Sequence, residues 1–347
     1  MKWLYLTHSY PTWDEWAVPY DDMLQRIQYP HGYNPQSSTW GLALQADYVS
    51  WGYAKAHADE YDGAFIEICN FSSAKGDPIG LMQSKLCRAT NPNIVLVGTW
   101  DSWDGRPKEL MAKYGRVKQR SWQGEMVNLM DLLIATSNKW ESYHSGCDMM
   151  WNVIFKTDKF VNFLAPFDVD GLKQFIVPYE EREKHFISAS PVNYYETSPR
   201  TAEVVGPSLP TGWKAGLTHI NKRAVPHPFY KLGTLSWWDY VKWVAKSYLG
   251  VFNAVNGGLA SVAGLGAVLK TPFVGSTTAD YVVACFPDLV KPANDINGQI
   301  ALVRRLVSDE SFWREVTDKG YTVCTNQYSF KGANTILHNE LQRRNKL

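Results

Sequence analysis

A pair of glycines stands directly before an apolar, helix-like run in the segment "VNGGLASVAGLGAVLKTPFVGS", residues 255–276. Each glycine would cost roughly 1 kcal/mol inside a helix, so Gly257 and Gly258 indicate a sharp turn that lets the backbone approach a ligand. A helix that begins near Leu259 would direct its unpaired N–H groups and the positive end of its dipole at that ligand. The segment therefore predicts an anion site. The alternative is close helix–strand packing without any ligand.

Other residues around this segment suit a diphosphate. Ser261 follows the glycines at a spacing that puts its hydroxyl in the first turn of the helix. Arginine guanidinium groups bind diphosphates through paired hydrogen bonds. The remaining candidate binding residues in this half of the chain are Ser188, Ser190, Arg200, Arg223, Gly233 and Asn256. Solvation at the protein surface is the competing interpretation for each arginine.

Short apolar strands alternate with helix-length segments, which predicts parallel sheets with helices on both faces. In the first half, strands are predicted at the start of the chain, ending near Thr7, and at 64–69, 94–97 and 132–135, with a helix over 38–57. Residues 196–226, rich in Pro, Gly and Thr, are predicted to be loops.

The alternation occurs in two series, separated by "FLAPFDVDGLKQF" and a charged stretch. We therefore predict an α/β protein with two Rossmann-like domains that face each other across an interdomain cleft. The predicted domains are 1–165 and 166–325. Residues 326–347 are predicted to form a C-terminal helix, which could return to the first domain.

Composition describes a globular protein that is not a general polyanion binder. Of 347 residues, 45% are hydrophobic and 20% charged, and 35 Lys and Arg balance 34 Asp and Glu to a net charge of +1. Any contact with nucleic acid must therefore use a local patch. The five cysteines are scattered and form no CxxC pair, which indicates reduced thiols in a cytoplasmic protein, or in the host cytoplasm for a viral one. We expect no signal peptide and no membrane span.

The segment from 232 to 276 resembles the donor half of GT-B glycosyltransferases. In the glucuronosyltransferase-like branch of that family, the sequence pattern at this place is His-Gly-Gly, two residues, Ser, two residues, Glu, and later Gly-x-Pro. Here Asn256-Gly257-Gly258, Ser261, Gly264 and Thr271-Pro272 hold those positions. The resemblance implies a nucleotide-sugar donor, most simply a UDP-sugar, with its diphosphate at the glycines and with no cofactor. Gly264 replaces the glutamate, so the usual acceptor for a ribose or sugar hydroxyl is missing.

Two further segments fit the same family. "FLAPFDVDGLKQF" is similar to the interdomain crossing of many GT-B chains, with Asp170 and Phe175 at the matching positions. The alternative is the DxD metal site of a GT-A enzyme at Asp168–Asp170, but no second Gly-Gly helix unit would follow in such an enzyme. The resemblance also implies that Asp280, just after "VGSTTA", binds a sugar hydroxyl.

Transfer with inversion needs a general base that deprotonates the acceptor and fixed N–H groups or cations that stabilise the leaving diphosphate. In GT-B enzymes the base follows a strand of the N-terminal domain, and no metal is required. The region "IVLVGTWDSWDG", with Asn70–Ser73 before it, resembles phage DNA β-glucosyltransferases, which implies that Asp101 is the base. Asp104, in the same loop, and His8, where the glucuronosyltransferase branch keeps its catalytic histidine, are the other candidates.

The same resemblance suggests an acceptor. A hydroxymethylated pyrimidine of phage-type DNA would have to be flipped out of the duplex, and a basic segment at 113–120 and the tryptophans of nearby loops would contact the DNA. No acidic residue lies between Val241 and Asp280, so the two-glutamate pattern of retaining GT-B enzymes is absent and inversion is favoured. Two alternatives stay open: a GT-B enzyme that modifies a small molecule, lipid or glycan, and a non-catalytic nucleotide-binding α/β protein.

Overall fold

The computed structural model describes residues 1–6, 13–25, 35–69, 79–101, 121–135, 157–189, 204–217, 229–231, 237–253 and 260–347. These ranges fold into two compact units. The first comprises Met1–Pro166 and Phe330–Leu347, and the second comprises Phe167–Ser329. Each unit is built on one predominantly parallel sheet, which confirms the predicted α/β class with two Rossmann-like domains.

Strands and helices alternate along the described ranges. The strands are β1 (Trp3–Leu6), β2 (Ala17–Val18), β3 (Asp47–Val49), β4 (Gly63–Cys69), β5 (Val95–Asp101), β6 (Leu132–Ala135), β7 (Phe160–Asn162), β8 (Glu183–Ala189), β9 (Lys214–Leu217), β10 (Phe229–Lys231), β11 (Ser247–Phe252), β12 (Phe273–Ser276) and β13 (Val290–Lys291). The α-helices are α1 (Tyr20–Gln25), α2 (Pro35–Ala43), α3 (Trp51–His57), α4 (Ile79–Thr90), α5 (Ser121–Leu129), α6 (Val169–Leu172), α7 (Trp237–Lys246), α8 (Ser261–Val268), α9 (Asp280–Cys285), α10 (Ile296–Ser308), α11 (Glu310–Val323) and α12 (Phe330–Arg343).

The sheet of the first unit has seven strands in the order β2-β3-β1-β4-β5-β6-β7. Neighbouring strands run parallel, except for the edge strand β2, which is antiparallel to β3. The chain passes from β1 to β3 on one side and then returns to β4 on the other side. The strand order therefore reverses between β1 and β4, and ligands of open α/β sheets bind outside the carboxyl ends of the strands at such a point.

Helices cover both faces of this sheet, which explains why its central strands are mostly apolar. Trp3 and Tyr5 point to the face that packs against α2 and α12. Leu4 and Leu6, which alternate with them, point to the face that packs against α3, α4 and α5. Helix α12 is thus part of the core of the first unit, and Asn334 Nδ2 donates a hydrogen bond to the Ala43 carbonyl oxygen at the end of α2 (2.9 Å).

The predicted helix over 38–57 is wrong, because the strand β3 divides this segment. Helix α2 ends at Ala43, and Gln45 takes a left-handed conformation with φ 55° that turns the chain. A new helix, α3, then begins after Ser50, whose hydroxyl accepts a hydrogen bond from the Tyr53 N–H (3.1 Å). The apolar spacing of the segment is typical of a helix, whereas parallel pairing of β3 with β1 is a non-local contact that overrides it.

The sheet of the second unit has six parallel strands in the order β10-β9-β8-β11-β12-β13. This is the strand order of a Rossmann fold, with the reversal between β8 and β11. The two strands pair closely at their carboxyl ends, where Ser188 lies beside Val251 and Ala189 beside Phe252. The carboxyl ends of β8 and β11 therefore define the point at which a ligand of this unit is expected.

A buried arginine ties the elements around β11 together. The Arg182 guanidinium donates to the carbonyl oxygens of Ser247 and Leu269 (both 2.9 Å) and to Thr271 Oγ1 (2.7 Å). Burial lowers the pKa of Arg182 to about 10. Thr271 Oγ1 in turn donates to the Val244 carbonyl oxygen at 2.9 Å. The Thr-Pro pair that follows the Gly-Gly segment in sequence thus fixes the end of α8 against the start of β11.

Candidate functional site

The predicted phosphate-binding residues follow the two central strands of the second sheet. Ser188 is the penultimate residue of β8 and is fully buried. Ser190 comes directly after β8, and Asn256, Gly257 and Gly258 come after β11; these four lie outside the described residues, as do Arg200, Arg223 and Gly233. The predicted residues at the end of β8 and those after β11 are distant in sequence. They belong to two strands whose carboxyl ends are adjacent in the sheet, at the point where the strand order reverses.

Helix α8 begins two residues later than predicted, at Ser261. Ala260, immediately before it, takes a left-handed conformation with φ 54° and ψ 45°. Non-glycine residues rarely adopt that conformation, which costs on the order of 1 kcal/mol. The carbonyl oxygen of Ala260 accepts the first helical hydrogen bond, from the Ala263 N–H (2.7 Å). Ser261 is half-buried in the first turn, where the N–H groups and the dipole of a helix favour an anion.

Gly264 holds the position of the missing glutamate, and the structure explains why no side chain stands there. A Cβ atom at Gly264 would lie 2.5 Å from Phe167 Cε2 and 2.8 Å from Tyr281 Cδ1. Both are ring atoms of buried aromatic side chains, so this face of α8 packs against the interior of the unit. The position faces protein, and a carboxylate there would not reach a ligand without moving both rings.

Asp280 is the first residue of α9, just beyond the carboxyl end of β12. It is 6% exposed, and its carboxylate lies close enough to Tyr328 to raise the pKa of that phenol. Burial is the largest cause of that shift, the thiols of Cys285 and Cys324 also contribute, and the pKa reaches about 12. The carboxylate stands in the first turn of a helix, where the dipole favours its negative charge. Asp280 is therefore largely enclosed by the protein, with a small exposed part at the carboxyl end of β12.

Asn253 is a residue of this region that sequence reasoning missed. It follows β11 directly and is 8% exposed. Its Nδ2 donates to the Ala293 carbonyl oxygen (3.2 Å), which fixes the orientation of the amide, while its buried Oδ1 has no hydrogen-bond partner among the residues that the structure describes. Buried polar atoms are usually paired, so an acceptor left unpaired at this strand end is a candidate ligand contact. The sequence signal that could have identified Asn253 is its position between an apolar strand and the Gly-Gly pair.

The candidate bases belong to the first sheet. Asp101 is the last residue of β5 and pairs in register with Cys69, the last residue of β4. His8 comes two residues after the end of β1, and Asp104 three residues after the end of β5; both lie outside the described residues. Because β1, β4 and β5 are neighbouring parallel strands, their carboxyl ends lie at one edge of the sheet. Asp101 therefore ends a strand, and His8 and Asp104 follow strands in sequence, at or next to the reversal point between β1 and β4.

The Asp168–Asp170 pair has structural partners at the beginning of the second unit. Asp168 Oδ1 accepts from the Gly171 N–H (2.9 Å) and caps α6, and the exposed Asp170 pairs with Lys173 Nζ (2.9 Å). Across the described ranges, no three His, Cys, Asp or Glu side chains come together as metal ligands would. In the same ranges, none of the helices is both long and apolar enough to span a membrane.

Comparison with known proteins finds similarity in fold alone. No protein-family model matches the sequence, and no curated protein matches it significantly. Sucrose-phosphate synthase from Thermosynechococcus elongatus is 10% identical, has a TM-score of 0.55, and covers 99% of both chains. A UDP-forming α,α-trehalose-phosphate synthase from Burkholderia xenovorans, in complex with glucose-6-phosphate, is 12% identical with a TM-score of 0.55, over 91% of this chain and 84% of that chain.

A third solved structure contains DNA. It is an α-glucosyltransferase in complex with UDP and a 13-mer DNA that contains an HMU base, 12% identical with a TM-score of 0.55, and the match covers 85% of each chain. These neighbours are GT-B glycosyltransferases. The chain therefore has the two-domain GT-B fold, which confirms the fold that the Gly-Gly segment suggested.

Proposed function

We propose that this protein is a glycosyltransferase that moves a sugar from a nucleotide sugar, a UDP-sugar, to a hydroxyl group of an acceptor. The observation that carries the proposal is the convergence at the carboxyl ends of β8 and β11. In sequence, Gly257 and Gly258 follow one of these strands and Ser190 follows the other, and the strained Ala260 leads into α8. Solved structures of the same fold are described by their names as UDP-forming or as complexes with UDP.

In the proposed reaction, the second unit binds the donor. N–H groups of the Gly-Gly turn and of the first turn of α8 hydrogen-bond to the diphosphate, and the Ser261 hydroxyl adds a donor. Ser188, Ser190, Arg200, Arg223, Gly233, Asn256 and Asp280 are the other proposed donor contacts. These contacts stabilise the charge that develops on the leaving diphosphate when its bond to the sugar breaks.

Asp101 is the proposed general base, with His8 and Asp104 as the alternatives. The carboxylate of Asp101 takes the proton of the acceptor hydroxyl as the oxygen attacks the anomeric carbon. The bond between that carbon and the β-phosphate oxygen breaks, and UDP leaves with the electron pair. This course inverts the anomeric configuration and needs no metal ion. Retention, seen as an α-linked product from a UDP-α-sugar, would contradict the role of Asp101 as base.

The proposed acceptor is a hydroxymethylated pyrimidine in DNA. The support is the resemblance of the Asp101 region to DNA glucosyltransferases together with the DNA-bound structure of the same fold. A sugar or another small hydroxyl compound is the second candidate, because two other structures of this fold are synthases of sugar phosphates by name.

One experiment separates these possibilities. The full chain is incubated with UDP-glucose and with hydroxymethylcytosine-containing DNA, unmodified DNA or glucose-6-phosphate, and UDP release is measured with and without EDTA. We expect release only with the hydroxymethylated DNA, unchanged by EDTA. Asp101→Asn should abolish transfer and leave UDP-glucose affinity intact, whereas Asp59→Asn, at an exposed position of the same unit, should behave as wild type. Absence of UDP release with every acceptor and sugar nucleotide would refute the proposed function.

A further inference from the structure

Two tryptophans of the first unit, three positions apart in sequence, have exposed side chains. The side chains of Trp13 and Trp16 are 57% and 37% exposed. A tryptophan can bury about 150–250 Å², so exposing two of them within four residues gives up a large stabilisation. Clustered exposed apolar side chains mark interaction sites more often than single ones do.

The backbone that carries these tryptophans is firmly held. The buried Ser50 hydroxyl donates to the Asp14 carbonyl oxygen (2.6 Å) and accepts from the Trp16 N–H (3.2 Å), and the Ser50 N–H donates to the Trp16 carbonyl oxygen (3.0 Å). The segment also packs so closely that a Cβ atom at Gly52 would lie 2.2 Å from the Trp13 carbonyl oxygen. The exposure of the indoles is therefore a property of an ordered segment.

This segment lies at the edge of the first sheet that carries the candidate bases. Ala17, next to Trp16, pairs with Val49, the last residue of β3, and Ser50 follows β3 directly. Strand β3 precedes β1, β4 and β5 in the sheet order. Trp16 directly precedes β2, and four strand spacings of about 4.8 Å separate β2 from β5, so Trp16 lies about 19 Å along this edge from Asp101. That is the scale of a few stacked nucleotides.

We propose that Trp13, Asp14, Glu15 and Trp16, the tryptophan platform, stack against bases of the DNA acceptor. The inference rests on the proposed function and adds a binding surface to it. Indole rings stack on any base, and the exposed carboxylates of Asp14 and Glu15 can accept hydrogen bonds from exocyclic amino groups such as cytosine N4.

Charge limits which part of the nucleic acid the platform contacts. Two carboxylates repel phosphates. Lys55 is a cation close to this segment, with its Nζ 6.0 Å from the centroid of the Trp13 ring. The platform therefore contacts bases and leaves the phosphate backbone to other residues. A sugar ring would also stack on indole, and the test includes this alternative.

Affinity for DNA, measured without donor, tests the platform. A fluorescein-labelled single-stranded oligonucleotide with one hydroxymethylcytosine is titrated with the full chain and followed by anisotropy. Stacking on an aromatic residue changes affinity about 5- to 150-fold per base, so Trp13→Ala/Trp16→Ala should raise the Kd at least about fivefold. Trp13→Phe/Trp16→Phe should retain most of the affinity. Met82→Ala, at another exposed apolar side chain of this unit, should have no effect.

Maltohexaose binding is measured in parallel to test the sugar alternative. Three results would overturn the proposal that the platform binds DNA bases: no binding of the oligonucleotide by the wild type, an unchanged Kd for the oligonucleotide in the double alanine variant, or a loss of affinity in that variant for maltohexaose only. Far-UV circular dichroism and the affinity for UDP-glucose should be the same in all variants, which separates a lost contact from a lost fold. Failure of the proposed function would instead appear as absent UDP release in the wild type with every acceptor, a measurement that uses neither tryptophan variant.

Discussion

Gly264 lies directly against the ring of Phe167, so that a Cβ atom on this glycine would come within 2.5 Å of Phe167 Cε2. Phe167 begins the second unit, and Gly264 lies in the middle of α8. The contact fixes α8 against the segment that opens the unit. Aromatic rings thus occupy the space where a side chain at this position, such as the glutamate of the glucuronosyltransferase-like pattern, would have to lie.

We expect Gly264→Ala to destabilise the protein by about 1–3 kcal/mol, the usual range for overpacking a tight core. The new methyl group would also lie 2.8 Å from Tyr281 Cδ1. Both the Phe167 ring and the Tyr281 ring would therefore have to move to make room for it. Urea unfolding followed by circular dichroism measures the effect. Gly264→Glu should destabilise further and should not improve donor binding. An unchanged unfolding midpoint for the alanine variant would mean that the contact is looser than described.

Ala260→Gly should stabilise the protein by about 1 kcal/mol. Ala260 has φ 54°, and glycine adopts this left-handed conformation without the steric penalty of a Cβ atom. The matched control is Ala263→Gly in the same helix, where a helical backbone conformation makes the glycine unfavourable by about 1 kcal/mol. Opposite signs for the two variants in urea unfolding are expected. Destabilisation by both would show that Ala260 is not strained.

Acid stability should depend in part on Glu340 in α12. The guanidinium groups of Arg343 and then Arg344 lower the pKa of Glu340 to about 2, while partial burial opposes the shift. Arg344 also donates to the Asp158 carbonyl oxygen (2.5 Å), which ties α12 to the residues before β7. Because the pKa is lower in the folded state than its usual value of about 4.3, the stabilisation is present above that pH and is lost as pH falls toward 2.

Glu340→Gln should therefore lower the free energy of unfolding near neutral pH by up to about 1 kcal/mol, the range for ion pairs at the surface. The difference from the wild type should shrink between pH about 4.3 and 2. Urea unfolding at several pH values measures it, and Glu181→Gln, at an exposed position of the second unit, serves as the control. A difference that stays constant across this pH range would exclude the ionised pair as its cause.

The sequence alone predicted the helix after the Gly-Gly pair and the alternation of strands, because each depends on local preferences. It could not predict that β8 lies beside β11, since strand order is set by contacts between distant residues. The same limitation explains the error over 38–57, where the pairing of β3 with β1 overrides a helical pattern.

Parts of the candidate site were equally beyond sequence reasoning. The sequence marks Gly264 as a departure from the family pattern, but the rings of Phe167 and Tyr281 that enclose it come from other elements of the unit. Asp280 was predicted from the resemblance to GT-B chains, whereas its burial beside Tyr328 depends on the packing of two helical segments. Burial and orientation of a side chain are tertiary properties that a motif does not contain.

Asn253→Ala should weaken UDP-glucose binding more than it weakens the fold. The buried Oδ1 of Asn253 has no partner among the described residues, and it lies at the carboxyl end of β11, where we propose that the donor binds. A hydrogen bond contributes about 0.5–1.5 kcal/mol, so loss of one to the donor corresponds to about a 2- to 13-fold higher Kd by calorimetry.

The stability of the protein should change little in this variant. Removing an unpaired acceptor relieves a burial penalty and offsets the lost bond to the Ala293 carbonyl oxygen, so the urea midpoint should stay close to that of the wild type. Equal UDP-glucose affinity in variant and wild type would exclude Asn253 from the donor site, and a large loss of stability would assign it a structural role.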